Sequence, residues 1–408
     1  SRLSWMISQR LHNKKDLLPV KRIFLIALLA LSGCAANPTS EEAGVYRAVE
    51  SVWTERIGHG AEGMHLLYTP VIEGDNLYVA SVHEISALNR KSGKTLWRHL
   101  FDRAINTGAA IAQESLLFGS DAEVVSISKL TGEISWHARV NSEVLATPVV
   151  ANGLVIVRTV DGNITAHEID SGKQRWSYQF SVPVLTLRGG ASPVIHGGIV
   201  YVGTASGHVI ALDLQSGELR WDSTLAVAHG RNAIERLVDV DAPLLITKSG
   251  IIASAYQQGS MLLTPQSGQI VWKRDFSTVS GTTTDGEQFY FGDLEGSLWS
   301  ASIARGATYW KQATLEGREL TQPALQADMV LVGDNEGYVH WFSKRDGSKR
   351  FSKRVQTRKE QFPIKTSTHG YNQSFNERRA ILAPPVVVDE WAYLIDQRGV
   401  LEAFRLSK

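Results

Sequence analysis

The sequence contains little cysteine, no excess of charge of one sign and none of the common cofactor motifs. Cys34 is the only cysteine among 408 residues, so no disulfide can form within the chain and its stability must come from packing. The 42 basic and 41 acidic residues nearly balance, which argues against a nucleic-acid partner. The 12 histidines lack metal-ligand spacing, and no nucleotide-binding glycine loop or Gly-x-Ser-x-Gly turn appears. We therefore expect no catalytic residue, no metal and no cofactor.

The N-terminal apolar run is also short. Residues 23–31 are apolar, about half of the roughly 20 residues that cross a bilayer. The basic pair 21–22 precedes this run and small residues follow it, which is the pattern of an export signal. The run ends in Leu31-Ser32-Gly33-Cys34, which resembles the lipobox of bacterial lipoproteins and implies acylation of Cys34. The alternative is a plain secretory signal with an incidental cysteine.

The lipobox resemblance implies how the protein matures and where it resides. It implies a signal peptide at 1–33 and a lipidated flexible tether at 34–50. In Gram-negative lipoproteins, an aspartate directly after the acylated cysteine retains the protein in the inner membrane, and Ala35 occupies that position here. The resemblance therefore implies the periplasmic face of the outer membrane. Because export signals start with their basic cluster, we interpret residues 1–19 as an artefact upstream of the true translation start.

The sequence does contain a repeat, in which a glycine is followed four residues later by a large aromatic residue. It occurs seven times, and successive aromatics are 38 to 51 residues apart, which indicates one structural unit copied along the chain. Each glycine ends a short polar turn between apolar residues, so the pattern predicts β-hairpins with glycine at a positive-φ position. We expect the aromatics to be structural residues that pack between units. The pairs are Gly93/Trp97, Gly132/Trp136, Gly172/Trp176, Gly217/Trp221, Gly268/Trp272, Gly306/Trp310 and Gly347/Phe351.

Each unit contains four short predicted strands, and a proline opens the first strand of most units, where no ladder donor is needed. Four-stranded units with a period of about 40 residues are typical of a β-propeller. An eighth unit begins at Pro384 but ends before its last strand, which we expect residues 51–54 to supply. The sequence thus predicts an all-β fold, an eight-bladed β-propeller of four-stranded antiparallel blades at 51–408, closed by an N-terminal strand.

Two other classes of propeller protein have to be weighed. Quinone-dependent alcohol dehydrogenases resemble this pattern of eight blades with tryptophans, and they use a vicinal disulfide beside the quinone and a calcium ion. With Cys34 as the only cysteine, that disulfide is impossible. A generic ligand-binding lipoprotein is the third class.

Three connections between predicted blades are long, and propellers bind through such connections. From an aromatic to the next proline they measure 17 residues after Trp176, 22 after Trp221 and 33 after Phe351. The first two serve neighbouring junctions, so we expect them to open on the same rim. They contain the segments Leu-Thr-Leu-Arg-Gly at 185–189 and Glu-Arg-Leu-Val-Asp-Val-Asp at 235–241.

These two segments, together with 333–341, resemble the BamB family, the lipoprotein propellers of the outer-membrane β-barrel assembly (BAM) machinery. The resemblance covers the lipobox and essentially all of residues 45–408. It implies a non-enzymatic scaffold, a monomer within a hetero-oligomeric complex, that binds the periplasmic POTRA domains of the insertase BamA alongside other BAM subunits. Unfolded outer-membrane proteins are a further expected partner, held as extended strands at blade edges by β-augmentation.

The family's partner contacts fall here on five residues, which are Leu185, Leu187, Arg188, Asp239 and Asp241. The leucines offer an apolar anchor, Arg188 can grip a carboxylate or carbonyl, and the aspartates discourage wrong partners. The alternative is that Arg188 pairs with Asp239 or Asp241 and braces the two loops.

The third long connection departs from the family and is predicted to form a basic insertion at about 352–381. Nine basic residues and two glutamates lie between Lys349 and Arg379. Two interpretations remain open, a solvated insertion or an electrostatic contact with anionic lipid, peptidoglycan or an acidic partner.

Overall fold

The computed structural model describes residues 46–186, 191–228, 237–356 and 379–408. All regular structure in these ranges is β, in 32 strands. In this part of the chain, no helix is long and apolar enough to cross a membrane. The predicted signal peptide and Cys34 lie outside the described residues.

The strands form eight antiparallel sheets of four. Blades 1 to 4 consist, in order, of β2 (Val71–Glu73), β3 (Asn76–Ser81), β4 (Glu84–Asn89) and β5 (Thr95–Leu100); β6 (Ala110–Ala112), β7 (Ser115–Ser120), β8 (Glu123–Ser128) and β9 (Ile134–Arg139); β10 (Val149–Ala151), β11 (Leu154–Arg158), β12 (Asn163–Glu168) and β13 (Gln174–Gln179); β14 (Val194–His196), β15 (Ile199–Gly203), β16 (His208–Asp213) and β17 (Leu219–Thr224).

Blades 5 to 8 complete the ring. They consist, in order, of β18 (Leu245–Thr247), β19 (Gly250–Ala255), β20 (Gly259–Leu263) and β21 (Ile270–Arg274); β22 (Thr282–Thr284), β23 (Gln288–Gly292), β24 (Leu298–Ser302) and β25 (Thr308–Gln312); β26 (Ala324–Gln326), β27 (Met329–Gly333), β28 (Tyr338–Ser343) and β29 (Lys349–Arg354); β30 (Val386–Val388), β31 (Trp391–Ile395), β32 (Val400–Ser407) and β1 (Ala48–Arg56).

In blades 1 to 7, four consecutive strands pair in chain order, whereas blade 8 has the order β1-β32-β31-β30. The N-terminal strand is therefore the outer strand of the last blade, with Ala48 opposite Ser407 and Arg56 opposite Val400. The predicted eight-bladed propeller and its closure are confirmed. Such closure leaves no blade incomplete at the ends of the chain.

Two predicted boundaries need correction. Residues 48–50 already pair with β32, so the tether predicted at 34–50 ends too late. Residues 352–354 belong to β29 and Ile381 is fully buried, so the insertion predicted at 352–381 is too wide at both ends. In both places the ladder or the core continues past the predicted boundary.

The repeated glycine and aromatic pack between blades rather than within one. A Cβ on Gly217, whose φ is +73°, would lie 2.6 Å from the ring of Trp176 in the preceding blade, so only glycine fits. The Trp176 indole Nε1 donates to the Leu214 carbonyl of that next blade at 3.0 Å. Six other indoles do the same across their junctions: Trp53 to Arg90, Trp97 to Lys129, Trp136 to Ile169, Trp221 to Pro265, Trp272 to Ile303 and Trp310 to Lys344. The aromatics are thus structural, as predicted, and Trp53 on β1 is the eighth.

The interblade connections lie on one rim of the ring, called here the connection rim. There they pair with the turns between second and third strands, as when Ile105 N donates to Val82 O (2.6 Å) and Val240 N to Thr204 O (3.0 Å). The turns between third and fourth strands, which carry the repeated glycines, form the opposite turn rim. Each outer strand therefore runs from the turn rim to the connection rim.

Candidate functional site

The two connections expected to bind a partner leave neighbouring blades on the connection rim. One spans 180–193, from β13 to β14, and the other spans 225–244, from β17 to β18. They begin alike, because Phe180 N donates to Gly162 O (3.0 Å) and Leu225 N donates to Gly207 O (2.9 Å). As predicted, the two segments open on the same rim.

Leu185 lies in an exposed apolar part of the 180–193 connection. Its side chain is 46% exposed, and the neighbouring Val184 is fully exposed. Both border an open groove of about 320 Å³ that is also lined by Phe180, Val182 and Leu145. Exposed aliphatic side chains beside a groove are suited to anchor a protein partner.

Asp239 and Asp241 lie in the interior of the chain. Asp239 is 1% exposed, and the side chain of Asp241 is 6% exposed. Their segment is fixed by its backbone as well, since Asp239 O accepts from Tyr256 N at 2.9 Å. The two carboxylates are therefore not on the surface that the chain presents, and their contact with a partner stays a prediction.

The buried side chain of Arg158 contacts both connections. Its Nη1 donates to the carbonyl of Ala191 in the 180–193 connection at 3.0 Å, and its Nη2 lies 3.9 Å from Asp241 Oδ1 in the 225–244 connection. The guanidinium also lies over the Phe180 ring, 5.9 Å from its centroid. One side chain at the end of β11 thus contacts both predicted binding segments.

The electrostatics of Arg158 are those of a buried cation with carboxylate partners. Burial lowers its pKa, while the carboxylates of Asp241 and Asp239 act in the opposite direction. A guanidinium still keeps its charge at any physiological pH. Removing one partner of a buried ion pair typically costs about 3–5 kcal/mol.

Leu187 and Arg188 lie outside the described residues, so their predicted roles stay predictions. The idea that an arginine braces the two loops does have a counterpart in Arg158, which sequence reasoning missed. The available signal was its position. Arg158 ends the strand Leu-Val-Ile-Val-Arg, every residue of which is buried, and an arginine at the end of a buried strand needs an acceptor or a carboxylate.

Sequence reasoning also missed another long connection on the same rim, residues 57–70 between β1 and β2. Trp53 and Pro70 are 17 residues apart, the same spacing as Trp176 and Pro193, so the spacing rule identifies it once Trp53 is counted as the eighth aromatic. Its Met64 and Leu67 side chains are exposed. Beside it lies an open polar pocket of about 540 Å³.

Nothing in the described ranges brings three or more His, Cys, Asp or Glu side chains together as a metal-binding group. The exposed side chains of Leu185, Met64 and Leu67 give the rim apolar surface, which is suited to protein recognition.

Three comparisons with known proteins bear on this site. The family model described as outer membrane protein assembly factor BamB matches residues 81–312. The outer membrane protein assembly factor BamB of Bordetella pertussis is 34% identical over 340 residues, which cover 80% of this chain and 86% of the relative. The crystal structure of BamB from Moraxella catarrhalis aligns with a TM-score of 0.75 at 21% identity, covering 88% of this chain and 100% of that one.

A quinohemoprotein alcohol dehydrogenase from Comamonas testosteroni also aligns, with a TM-score of 0.66 at 14% identity, over 88% of this chain and 76% of the enzyme. At that identity the likeness shows the fold alone. The family match spans more than half of the chain, and the Bordetella relative exceeds 30% identity over most of it. The chain belongs to the BamB family of outer membrane protein assembly factors.

Proposed function

We propose that this protein is a non-enzymatic scaffold subunit of the BAM complex, which aids the folding and insertion of outer-membrane proteins. The observation that supports this most directly is its membership of the BamB family. A closed ring is suited to the role, because its sheets fix the ends of neighbouring connections on one rim.

The proposed partner is the periplasmic POTRA region of BamA, bound through the 180–193 and 225–244 connections. Leu185 and Leu187 are the proposed apolar anchors, and Arg188 the proposed polar contact. Asp239 and Asp241 would act from the interior, by holding the shape of their segment. This division agrees with the exposure of Leu185 and the burial of both carboxylates.

We further propose that acylated Cys34 tethers the ring to the periplasmic face of the outer membrane. The enzymatic alternative is disfavoured, because a quinone site of the dehydrogenase type needs a vicinal disulfide and the chain has one cysteine.

Detergent co-purification tests the proposed interface. Wild-type protein should capture a barrel protein with POTRA repeats, and the double variant Leu187→Glu with Arg188→Glu should not. Leu185→Glu tests the described part of the surface. Its matched control is Leu219→Glu on β17, because Leu185 is 46% and Leu219 45% exposed. The interface is wrong if Leu185→Glu and Leu219→Glu reduce capture equally, or if the double variant captures as much as wild type.

A second proposed activity is the transient binding of extended client strands at blade edges. It is motivated by the outer strands, several of which carry exposed apolar side chains, including Leu96, Leu100, Ile270, Val271 and Tyr309. Photo-crosslinkers at Leu100 and Tyr309 should trap an unfolded porin during assembly. Porin that fails to crosslink at both positions while assembly proceeds would contradict this activity.

A further inference from the structure

The outer strand of blade 7 is unusually basic. The sequence of β29 is Lys-Arg-Phe-Ser-Lys-Arg, with no acidic residue. Lys349, Arg350, Lys353 and Arg354 are all exposed, and Arg345 in the preceding turn is exposed as well. The outer edge of this blade therefore presents five cations.

On the outer strands of other blades, cations are mostly neutralised by carboxylates. The pairs are Arg98 with Glu55 at 2.5 Å, Arg139 with Glu123 at 3.4 Å, Arg175 with Glu168 at 3.1 Å and Arg220 with Asp213 at 2.6 Å. In blade 5, Arg274 instead donates to the carbonyls of Gly306 and Arg305.

None of the five blade 7 cations lies within 4.0 Å of a carboxylate in the described part of the chain. Arg354 lies over the Tyr338 ring, 5.3 Å from its centroid. The nearest acidic residue in sequence, Asp346, accepts from Ser348 Oγ at 2.7 Å and from Ser348 N at 3.0 Å. Asp346 also interacts electrostatically with Arg350, but it forms no ion pair with any of the five cations, so most of the positive charge of this edge remains available to an anionic surface.

The position of the N-terminus supplies a second, independent observation. The chain enters the ring at Ala48, the first residue of β1, which is the outer strand of blade 8 and packs beside β29. Because outer strands start at the turn rim, Ala48 and the turn that carries Arg345 lie on the same rim of adjacent blades. The described chain therefore enters the ring on the same rim as Arg345, at the outer strand of the adjacent blade.

We propose that the blade 7 edge docks on the anionic phospholipid surface of the membrane to which the chain is tethered. The inference rests on the proposed acylation of Cys34. Clustered lysines and arginines beside a membrane anchor are attracted to anionic headgroups, and salt screens this attraction within a Debye length. Blades 3 and 4 lie across the ring from blades 7 and 8. Docking through the blade 7 edge would therefore leave blades 3 and 4 on the side of the ring that is farthest from the bilayer.

The test uses the full-length acylated protein in vesicles of phosphatidylcholine, with or without one-quarter phosphatidylglycerol. Acylation blocks the single native cysteine, so an introduced cysteine is the only site that a fluorophore can label. Ser352→Cys on β29 and Ser177→Cys on β13 are a matched pair, since each follows the repeated aromatic at an exposed position. A lipid with a nitroxide headgroup should quench the Ser352→Cys label several-fold more than the Ser177→Cys label, only with phosphatidylglycerol and less at high salt. Equal quenching at both positions, or quenching that ignores the anionic lipid, would overturn the proposal.

Two charge-reversal variants distinguish an effect of the blade 7 surface from an effect of the protein's net charge. The stronger quenching of the label at position 352 than of the label at position 177 should disappear in the blade 7 triple variant, Lys349→Glu, Arg350→Glu and Lys353→Glu. It should persist in the control triple variant, Lys173→Glu, Lys248→Glu and Lys273→Glu. The control cations are exposed and lie in blades 3 and 5. An equal loss in both triples, with unchanged thermal midpoints, would contradict a local docking surface. If the blade 7 triple variant loses binding to isolated peptidoglycan but retains quenching by the labelled lipid, the edge binds the cell wall and the proposal is overturned.

Failure of this inference is distinguishable from failure of the proposed function. Co-purification in detergent involves no bilayer, so the blade 7 triple should capture the POTRA-containing partner as well as wild type does. If the protein never associates with either vesicle, the tether itself is wrong and docking on that membrane fails with it.

Discussion

The junction between blades 3 and 4 and the junction between blades 7 and 8 use different residues for the same task. At the first, Trp176 packs on Gly217 and its indole donates to Leu214 O. At the second, the corresponding aromatic is Phe351, which packs with Val49, Phe404 and Leu406. The aromatic contact of the second junction is therefore apolar, whereas that of the first includes a hydrogen bond.

Ring closure explains the difference. In blades 1 to 7, a hairpin turn joins the third and fourth strands and supplies both the glycine and the carbonyl that the preceding tryptophan uses. In blade 8 these strands are β32 and β1, from opposite ends of the chain, so no such turn exists. An indole at position 351 would lack the acceptor carbonyl that this turn supplies in the other blades. The apolar ring of phenylalanine is therefore sufficient for packing at this position.

A side-chain bridge connects blades 7 and 8 instead. Trp341 Nε1 donates to Gln326 Oε1 at 2.7 Å, and Gln326 Nε2 donates to Glu390 O of blade 8 at 2.8 Å. The tryptophan of the repeat therefore forms its hydrogen bond only where a hairpin turn of the next blade supplies the acceptor, and the junction between blades 7 and 8 combines Phe351 of the repeat with the Gln326 bridge.

The largest expected effect comes from removing one aromatic at each junction. Trp176→Ala should lower the free energy of unfolding by about 3–5 kcal/mol, because a buried indole and its hydrogen bond are both lost. Phe351→Ala should cost less, since Phe351 is smaller and only partly buried. Urea unfolding followed by circular dichroism measures both, and a larger loss for Phe351→Ala would contradict the comparison.

The next effect concerns the contact of Arg158 with the two connections of the blade 3 to 5 region. Arg158→Met should lower the free energy of unfolding by roughly 3 kcal/mol, the lower end of the range for a broken buried pair, because Nη2 lies 3.9 Å from Asp241. It should also weaken capture of the POTRA-containing partner while Leu185 is unchanged.

A double-mutant cycle is the control for this brace. Arg158→Met combined with Asp241→Asn should cost less than the sum of the single changes, because the interaction between these two side chains can be lost only once. Additive effects would show that the two side chains do not act together.

At the closing junction, Gln326→Leu should lower the free energy of unfolding by about 1–2 kcal/mol. The substitution preserves volume but leaves the Trp341 indole and the Glu390 carbonyl without their partner. Leu325→Ile, a conservative change at the adjacent residue, is the control and should have little effect. The bridge is unimportant if the two variants unfold at the same urea concentration.

The ring was predictable from the sequence because each glycine and tryptophan acts through local geometry that repeats seven times. The eighth aromatic, Trp53, was harder to identify, because the glycine it packs on is Gly93, and the pairing appears only once the chain ends meet. Arg158 was not predictable as a brace, since Ala191 and Asp241 are 33 and 83 residues away in sequence. The burial of Asp239 and Asp241 was not predictable either, since the family resemblance marked them as partner contacts and only tertiary packing places them in the interior.

The smallest effect probes the closure within blade 8 itself. Glu402 on β32 is fully buried, accepts from the Ser51 hydroxyl of β1 and accepts from Gln356 N at 2.7 Å. Burial raises the pKa of this carboxyl, although both hydrogen bonds act to lower it.

A carboxyl whose folded-state pKa exceeds its unfolded value binds more protons in the folded state, so its contribution to stability is greatest at low pH and is lost as pH rises through the folded pKa. Glu402→Gln should therefore raise the thermal midpoint slightly at pH 7, because the amide can accept from Gln356 and donate to Ser51 without carrying charge. The gain should disappear below about pH 4, near the ordinary glutamate pKa, where wild-type Glu402 is protonated as well. Thermal scans from about pH 3 to about pH 8, on either side of the ordinary glutamate pKa, measure this difference. A gain that grows as pH falls would mean that Glu402 is held as a carboxylate, and that ionic rather than neutral hydrogen bonding joins the two ends of the chain.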